Sequence, residues 1–225
     1  MAKHTIYMYY CDMRQHAITD AGLLALLNGP DQLRFHTIKN KTRQRQFAMG
    51  RWLIKHGLSQ QFSVAKSDNY ELTNYSQWRQ LTSDKRYSVS ISHSSDYVAV
   101  AIADFPCELG IDIEQHKSRN FSELLKVFST TEEQHLIANL ADIKSMFYRL
   151  WTAKEAFLKV TQKPIDAVVK QDLSPCLLSG FAQTSSYQSY SGELAKGDYS
   201  YCVMTNAAKI TSIEVFQLNC ASVEP

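Results

Sequence analysis

Two short stretches of this sequence carry acidic and basic side chains at spacings suited to binding a metal ion and a phosphate group. Asp112 and Glu114 lie two residues apart in Gly-Ile-Asp-Ile-Glu, where the alternation of apolar and polar residues predicts a strand with both carboxylates on one face. Glu155 and Lys159 lie four residues apart in a run with helical periodicity and therefore share one helix face. If that helix packs across the strand, three carboxylates and one ammonium group converge.

Such a convergence is what a hard divalent cation requires. Mg²⁺ takes one or two protein carboxylates together with substrate phosphates, and Lys159 would lie one turn away, placed to hold a phosphate oxygen. Each of the two stretches also has an ordinary interpretation. Asp112 and Glu114 could form the solvent-exposed face of a half-buried strand, and Glu155 and Lys159 could be a surface ion pair worth about 0.3 kcal/mol. However, Asp and Glu are poor strand residues, so their position inside a strand pattern favours the metal site.

The two stretches resemble the signatures of the 4′-phosphopantetheinyl transferases, in particular the long, monomeric type that activates surfactin synthetase. The family signatures are Gly-(Ile/Val)-Asp-x-Glu and (Phe/Trp)-x-x-Lys-Glu-(Ala/Ser)-x-x-Lys. Here they stand without departure as residues 110–114 and, at residues 151–159, as Trp-Thr-Ala-Lys-Glu-Ala-Phe-Leu-Lys. The second, nine-residue motif is the more specific of the two.

The resemblance implies an enzyme that moves the 4′-phosphopantetheine arm of coenzyme A onto a serine of an apo acyl or peptidyl carrier protein. Adenosine 3′,5′-bisphosphate would leave. Mg²⁺, or Mn²⁺, would be held by Asp112, Glu114 and Glu155, while Lys159, assisted by Lys154, would stabilise the transferring phosphoryl group. A carboxylate must also accept the serine proton, and Glu155 is the first choice with Glu114 the second.

A basic stretch near the N-terminus is the second candidate site. Residues 39–56 predict a helix with one apolar face that ends at Gly57. Its other faces are rich in Lys and Arg, which is common for a solvated helix. The resemblance implies instead that this helix binds the nucleotide end of coenzyme A, through Arg45 and Arg51 with support from Lys41.

A Ser-His-Ser run follows the next predicted strand. Ser92 and His93 resemble the family motif whose serine and histidine contact coenzyme A phosphates, and a polar hairpin turn is the alternative. A hydrolase pair is disfavoured, because neighbours on a strand point to opposite faces. The family's Gly-Lys-Pro turn is absent, and residues 74–86 stand in its place.

Composition restricts the class of protein further. A chain of 225 residues with 44% hydrophobic residues suits a globular protein of one large or two small domains. The net charge of +2 does not indicate a nucleic-acid partner. Five cysteines without a CxxC pair favour a reducing compartment, and no apolar run is long enough to span a membrane. We therefore expect a cytoplasmic protein, and the resemblance implies a monomer.

The resemblance also implies the fold, an α+β pseudo-dimer of two similar halves, each an antiparallel sheet packed with helices. The N-terminal half, 1–106, would bind the nucleotide end of coenzyme A. The C-terminal half, 107–225, would hold the metal and dock an acidic carrier protein on the segment 117–149. The residues expected to dock are basic (Lys117, Arg119, Lys126, Lys144 and Arg149) or apolar (Phe121, Leu124, Leu125 and Phe128). The alternative is a solvated flank over ordinary core residues.

Two other classes of protein fit parts of the sequence. A Mg²⁺-dependent nuclease also uses paired acids followed by Glu and Lys, but it places Glu-x-Lys on one strand, whereas Glu155 and Lys159 have helical spacing. A non-catalytic, carrier-binding homologue would not need the three carboxylates and the lysine, all of which are present. Both alternatives are therefore weaker than the transferase.

Overall fold

A computed structural model describes residues 4–15, 18–62, 79–80, 87–140, 142–206 and 210–218, and the fold is given for these. The chain packs as two compact units, Met1–Pro106 with Thr211–Pro225, and Cys107–Ile210. The expected halves were 1–106 and 107–225, so the last strand joins the first unit rather than the second. Most of the stretch 74–86, which replaces the family's Gly-Lys-Pro turn, lies outside the described residues.

The elements are numbered in chain order. The strands are β1 (His4–Asp12), β2 (Arg79–Gln80), β3 (Ser88–Ser94), β4 (Tyr97–Ala103), β5 (Leu109–Gln115), β6 (Phe181–Gln183), β7 (Gln188–Leu194), β8 (Tyr199–Thr205) and β9 (Ile210–Gln217). The α-helices are α1 (Asp20–Ala25), α2 (Gly29–Thr37), α3 (Lys41–Phe62), α4 (Phe121–Phe128), α5 (Thr131–Ala138), α6 (Ile143–Thr161), α7 (Ile165–Val169) and α8 (Ser174–Leu178).

The first unit is a five-stranded sheet in the order β2-β3-β4-β1-β9, packed against α3. β4 pairs antiparallel with β3 and with β1 and is buried along its whole length, as its continuous apolar sequence predicts. β9 lies beside β1, where Thr5 bonds to Ser212 and Tyr10 bonds to Gln217. The residue numbers increase in the same direction along both strands, from Thr5 to Tyr10 and from Ser212 to Gln217, so β9 is parallel to β1.

Helix α3 extends beyond the expected stop at Gly57 and ends at Phe62. A Cβ at Gly57 would come within 2.7 Å of side-chain atoms of Ile102 and of Tyr9. This glycine therefore allows the helix to approach the sheet closely instead of ending it. The prediction of a helix end at Gly57 was wrong because a glycine within a helix can serve close packing as well as termination.

The second unit is a four-stranded antiparallel sheet in the order β5-β8-β7-β6, with α6 packed on β5 and β8. Asp112 of β5 pairs with Cys202 of β8. Ile111 and Ile113 are fully buried, which fits the alternation read from the sequence.

Capping groups fix the starts of the two helices that precede and carry the second motif. Thr130 and Glu133 form a capping box at the start of α5, each side chain bonding to the other's backbone N–H. α6 begins where the Asp142 side chain accepts a hydrogen bond from Ser145 N, and it ends at Gln162 in the left-handed conformation.

The two units, each a mostly antiparallel sheet covered by helices, confirm the predicted α+β class. Among the described residues, no helix combines the length and apolar character needed to cross a bilayer.

Candidate functional site

The acidic strand and the long helix meet in the second unit, as the sequence predicts. Nζ of Lys159 on α6 donates to Oδ1 of Asp112 at 3.0 Å and to the carbonyl oxygen of Ile111 on β5 at 2.6 Å. Asp112 is only 5% exposed, and Glu155 is half-buried one turn before Lys159. The structure therefore brings two of the three predicted carboxylates together with the predicted lysine.

The charges in this cluster act on one another. Burial raises the pKa of Glu155 above its ordinary value, the nearby charge of Asp112 raises it further, and the Lys159 ammonium group opposes both effects. Two carboxylates thus share a single ammonium group in a partly water-excluded place. Such a pair is stabilised by any additional positive charge that reaches it.

Glu114, the third predicted carboxylate, is half-buried on the same strand, two residues after Asp112. Within the described part of the chain, no group of three or more His, Cys, Asp or Glu side chains is arranged to hold a metal ion. Asp112 and Glu155 nevertheless fit Mg²⁺, which often takes one or two carboxylates and completes its shell with water and substrate phosphates. The donor set is hard and anionic, as that ion requires.

Lys154 does not join the acidic cluster. Its side chain is 3% exposed and its Nζ lies 2.9 Å from Oε1 of Glu133. Nζ also donates to the carbonyl oxygens of Val169 at 3.0 Å and Gln171 at 2.5 Å. The expectation that Lys154 assists the phosphoryl group does not match this placement, because successive helix residues point in directions about 100° apart.

Glu114 lines a second feature, a small cavity of about 80 Å³ beside the end of β5. Both of its charged lining residues, Glu114 and Arg119, come from β5 and the segment that follows. The rest of the lining is apolar or aromatic and comes from α4 and α6: Leu124, Phe147, Tyr148 and Trp151.

The first unit contains a larger cavity of about 540 Å³ with a strongly basic lining. Among the described residues that line it, none is a carboxylate and five are Arg, Lys or His, so this lining suits an anionic ligand. The lining consists of Arg34, Ile38, Lys39, Asn40, Arg43, Gln46, Phe47, Arg51, Ile91 and His93.

Of the three basic residues predicted on α3, only Arg51 reaches this cavity. Its Nε lies 2.9 Å from Oδ2 of Asp31, which offsets its charge. Lys41 instead pairs with Asp20 at the surface at 2.5 Å, and Arg45 donates to the carbonyl oxygen of Met13 at 2.9 Å. A helix is present here as predicted, but the side of it that faces the cavity carries Arg43 and Arg51 and not Lys41 or Arg45.

The basic residues that the sequence analysis did not select are Arg34, Lys39 and Arg43. The signal was present, because Arg43, Phe47 and Arg51 recur every four residues and so form one stripe of α3. The guanidinium carbon of Arg51 lies 4.6 Å from the centre of the Phe47 ring on that stripe. The family resemblance implied Lys41 and Arg45, which lie outside this stripe.

The predicted Ser-His pair divides between the two faces of β3. His93 lines the basic cavity, and Nη1 of Arg43 lies 2.9 Å from its Nδ1. Ile91, two residues earlier, lines the same cavity, whereas Ser92 between them is buried and is not among the lining residues. The turn between β3 and β4 is at Ser95, so the Ser-His pair belongs to the strand and not to the turn.

Some basic residues of the predicted docking segment, 117–149, are exposed, whereas others bond to groups of the protein itself. Lys117, Arg119 and Lys144 are exposed, and Lys126 is exposed but pairs with Glu123 at 2.8 Å. Arg149 donates to the carbonyl oxygen of Cys176 and therefore has a structural contact of its own.

The apolar part of this segment differs from the expectation. Leu125 and Phe128 are buried in the core, and Phe121 and Leu124 are partly buried against it. Val127, which was not selected, is 75% exposed on α4. The exposed surface of α4 therefore presents Val127 beside Lys126, while Leu125 and Phe128 anchor the helix.

Known proteins resemble this chain in the region that carries both motifs. A family model described as the 4′-phosphopantetheinyl transferase superfamily matches residues 108–208. A 4′-phosphopantetheinyl transferase of Bacillus pumilus is 30% identical over 122 residues, which cover 54% of this chain and 52% of the relative. The 4′-phosphopantetheinyl transferase Sfp of Bacillus subtilis is 26% identical over 167 residues, covering 72% of this chain and 74% of the relative.

A further 4′-phosphopantetheinyl transferase of Bacillus subtilis is 36% identical over 83 residues, covering 35% of this chain and 36% of the relative. This chain thus spans about half the length of the Bacillus pumilus relative that it matches. The matched region contains β5 and α6, which carry the acidic cluster. Residues 108–208, which contain both motifs, thus match the 4′-phosphopantetheinyl transferase superfamily.

Proposed function

We propose that this protein transfers the 4′-phosphopantetheine arm of coenzyme A to a serine of an apo acyl or peptidyl carrier protein. The serine oxygen attacks the phosphorus that bears the arm, the bond from that phosphorus to the bridging oxygen breaks, and adenosine 3′,5′-bisphosphate leaves. The observation that carries the proposal is the meeting of Asp112, Glu155 and Lys159, together with the family relationship.

The residues of the cluster have separate roles in this reaction. Asp112 and Glu155 would hold Mg²⁺, with Glu114 as a further candidate ligand. When bound, the ion neutralises charge on the diphosphate oxygens. Lys159 contacts the transferring phosphoryl group through the third donor of its ammonium group, since Asp112 and the Ile111 carbonyl accept the other two.

The serine proton needs an acceptor, and Glu155 suits this role. In the metal-free protein its pKa is raised, first by burial, so that before an ion binds it is a stronger base than an ordinary glutamate. Glu114 is the alternative, because it lies on the same face of β5 as Asp112 and lines the small cavity beside that strand.

The basic cavity of the first unit would take the nucleotide end of coenzyme A, which carries the 3′-phosphate. Arg43 and His93 lie side by side in it, and Arg34 and Lys39 add two further positive charges. Among the described residues, neither Arg34 nor Lys39 forms an ion pair, so both charges remain available to phosphate oxygens. Charge-assisted bonds of this kind are stronger than neutral ones.

The carrier protein would dock on the segment 117–149. Exposed Lys117 and Arg119 follow the acidic strand, and exposed Val127 and Lys126 follow on α4. This combination of basic and apolar groups complements an acidic carrier around its serine. Charge reversal, Arg119→Glu with Lys126→Glu, should raise the Michaelis constant for the carrier and leave that for coenzyme A unchanged.

The decisive experiment is mass spectrometry of a panel of apo carrier proteins incubated with the protein, coenzyme A and Mg²⁺. A gain of the phosphopantetheine mass on the carrier serine is the expected result. Asp112→Asn and Glu155→Gln should abolish that gain while leaving the fold intact. Glu132→Gln, the same change at an exposed glutamate of α5, serves as the matched control.

Two results would contradict the proposal. Full-speed transfer by Asp112→Asn or Glu155→Gln would show that the acidic cluster is not the catalytic site. Binding of carriers without any mass gain across the panel would indicate a non-catalytic, carrier-binding homologue.

A further inference from the structure

One hydroxyl group of α6, that of Tyr148, bonds to the chain segment that follows β5. The hydroxyl oxygen of Tyr148 accepts hydrogen bonds from Lys117 N at 2.8 Å and from Arg119 Nε at 3.3 Å, and it donates to the Lys117 carbonyl oxygen at 3.1 Å. A tyrosine hydroxyl has one proton to donate and two acceptor positions. All three hydrogen-bonding positions of the Tyr148 hydroxyl are therefore used by Lys117 and Arg119.

The ring of Tyr148 holds the same segment from the side. It stacks on His116, with ring centres 4.6 Å apart and ring planes 14° apart. His116 in turn bonds through Nε2 to Oγ of Ser200 on β8 at 2.7 Å. The segment 116–119 is thus held between α6 and the sheet, although residues 116–120 form neither helix nor strand.

Holding the irregular segment 116–119 in one conformation can affect binding of a partner as well as stability. An irregular segment with exposed Lys117 and Arg119 would adopt many conformations if nothing held it, and each contact with a partner would then carry an ordering cost. Tyr148 is 2% exposed and also forms part of the wall of the small cavity, next to Arg119. It can therefore influence an acidic partner only through the residues it holds.

We propose that Tyr148 is a positioning residue for the carrier protein, which it serves by fixing the backbone of Lys117 and the guanidinium group of Arg119 before the carrier arrives. This rests on the proposed transferase function and deepens it. The role belongs to the hydroxyl group, because a phenylalanine ring would keep the stacking on His116 and lose all three hydrogen bonds.

The test is Tyr148→Phe in the full-length protein, with steady-state kinetics varied separately in apo carrier and in coenzyme A. The Michaelis constant for the carrier should rise about three- to tenfold, the effect of losing one ordinary hydrogen bond's worth of binding free energy. The Michaelis constant for coenzyme A and kcat should stay unchanged. Calorimetric titration of the carrier without coenzyme A should show the same loss of affinity.

Two further variants separate positioning from a general structural effect. Tyr187→Phe removes another buried tyrosine hydroxyl from the same unit and should leave the carrier constant unchanged. Arg119→Gln alone should weaken binding of the carrier. The double variant with Tyr148→Phe should lose less binding free energy than the sum of the two single losses, because both changes act through one contact.

An unchanged carrier constant in Tyr148→Phe, or an equal rise for both substrates, would overturn this inference while leaving the transferase proposal in place. Strict additivity with Arg119→Gln would also overturn it. By contrast, absence of transfer by the wild-type protein would contradict the proposed function itself.

Discussion

Gly110 on β5 lies directly against the backbone of Ala156 on α6. A Cβ at Gly110 would come within 2.2 Å of the Ala156 carbonyl oxygen, a distance that real contacts do not reach. Because Gly110 has no side chain, the helix can approach the strand closely at this point. On β5 the point lies two residues before Asp112, and on α6 it lies one residue after Glu155. The glycine of the first motif thus supplies the space in which the second motif meets it.

Gly110→Ala should therefore separate the two motifs. The added methyl group presses on helix backbone rather than on a flexible side chain, so we expect a loss of about 2 kcal/mol in the free energy of unfolding. Transfer activity should fall as well, because Glu155 moves away from Asp112. Urea unfolding and the transfer assay measure both effects. Gly180→Ala is the control, since its Cβ would lie at an ordinary 3.4 Å from Ser191 O, and equal behaviour of the two variants would contradict this account.

Lys159→Met should make the protein's stability depend more strongly on Mg²⁺. Without a cation, removing the ammonium group leaves the buried carboxylate of Asp112 close to Glu155, which should cost about 2 kcal/mol and lower Tm by about 6 °C. Added Mg²⁺ should then raise Tm more in this variant than in the wild type, where the ion competes with Lys159. Thermal melts with chelator and with Mg²⁺ test this, with Lys163→Met at an exposed site as control. Identical Mg²⁺ responses in all three proteins would rule out a shared site for Lys159 and the ion.

The raised pKa of Glu155 predicts a pH dependence of stability in the metal-free protein. Burial and Asp112 raise this pKa in the folded state, so the folded protein keeps a proton over a pH range in which the unfolded chain has already lost it. The unfolded state then binds fewer protons, and stability falls as pH rises from the ordinary glutamate pKa through the raised one. Glu155→Gln should flatten the profile in that range. Urea unfolding at a series of pH values in chelator is the measurement, and a profile unchanged by the substitution would refute the assignment.

Lys154→Met should reduce stability and spare substrate binding. It leaves Glu133 buried without its cation, which typically costs about 3–5 kcal/mol. The Michaelis constants for coenzyme A and for the carrier should not change in the protein that remains folded, because Lys154 Nζ is bonded to Glu133 and to backbone carbonyl oxygens. Lys170→Met, at an exposed position, is the comparison for stability. A raised Michaelis constant for coenzyme A at normal stability would restore the role that the motif alone suggests.

Arg43→Gln should weaken coenzyme A binding more than Lys41→Gln does. Arg43 lines the basic cavity beside His93, whereas Lys41 pairs with Asp20 at the surface. Loss of one charge-assisted hydrogen bond to a phosphate corresponds to roughly 10- to 100-fold in the Michaelis constant. Separate titrations of coenzyme A with each variant decide the matter, and the reverse order would show that α3 presents a different face to the ligand.

The sequence was sufficient for β5, for α6 and for the centre of the acidic cluster. β5 and α6 both carry strong periodic patterns, and their motifs name Asp112, Glu155 and Lys159 directly. The meeting of β5 and α6 follows from a rule of packing, since an amphipathic helix must bury one face against a sheet.

The sequence was insufficient where the outcome depends on which way a side chain points. Lys154 and Glu155 are neighbours in one motif, yet Lys154 bonds to Glu133 while Glu155 lies near Asp112. On α3, charge alone could not separate Arg43 from Arg45, because only the packing of the helix on its sheet decides which stripe faces the cavity. Partners distant in sequence, such as Glu133, leave no local pattern to read.

The position of β9 has a consequence for dissecting this protein. Because β9 completes the first sheet beside β1, a fragment that stops at residue 106 would leave β1 with unpaired backbone groups, and such open edges promote aggregation. To separate the second unit from the first, a limited-proteolysis study would thus need two cuts in the chain, one before the second unit and one after it. The first sheet would then consist of two chain fragments and would still contain β9 beside β1.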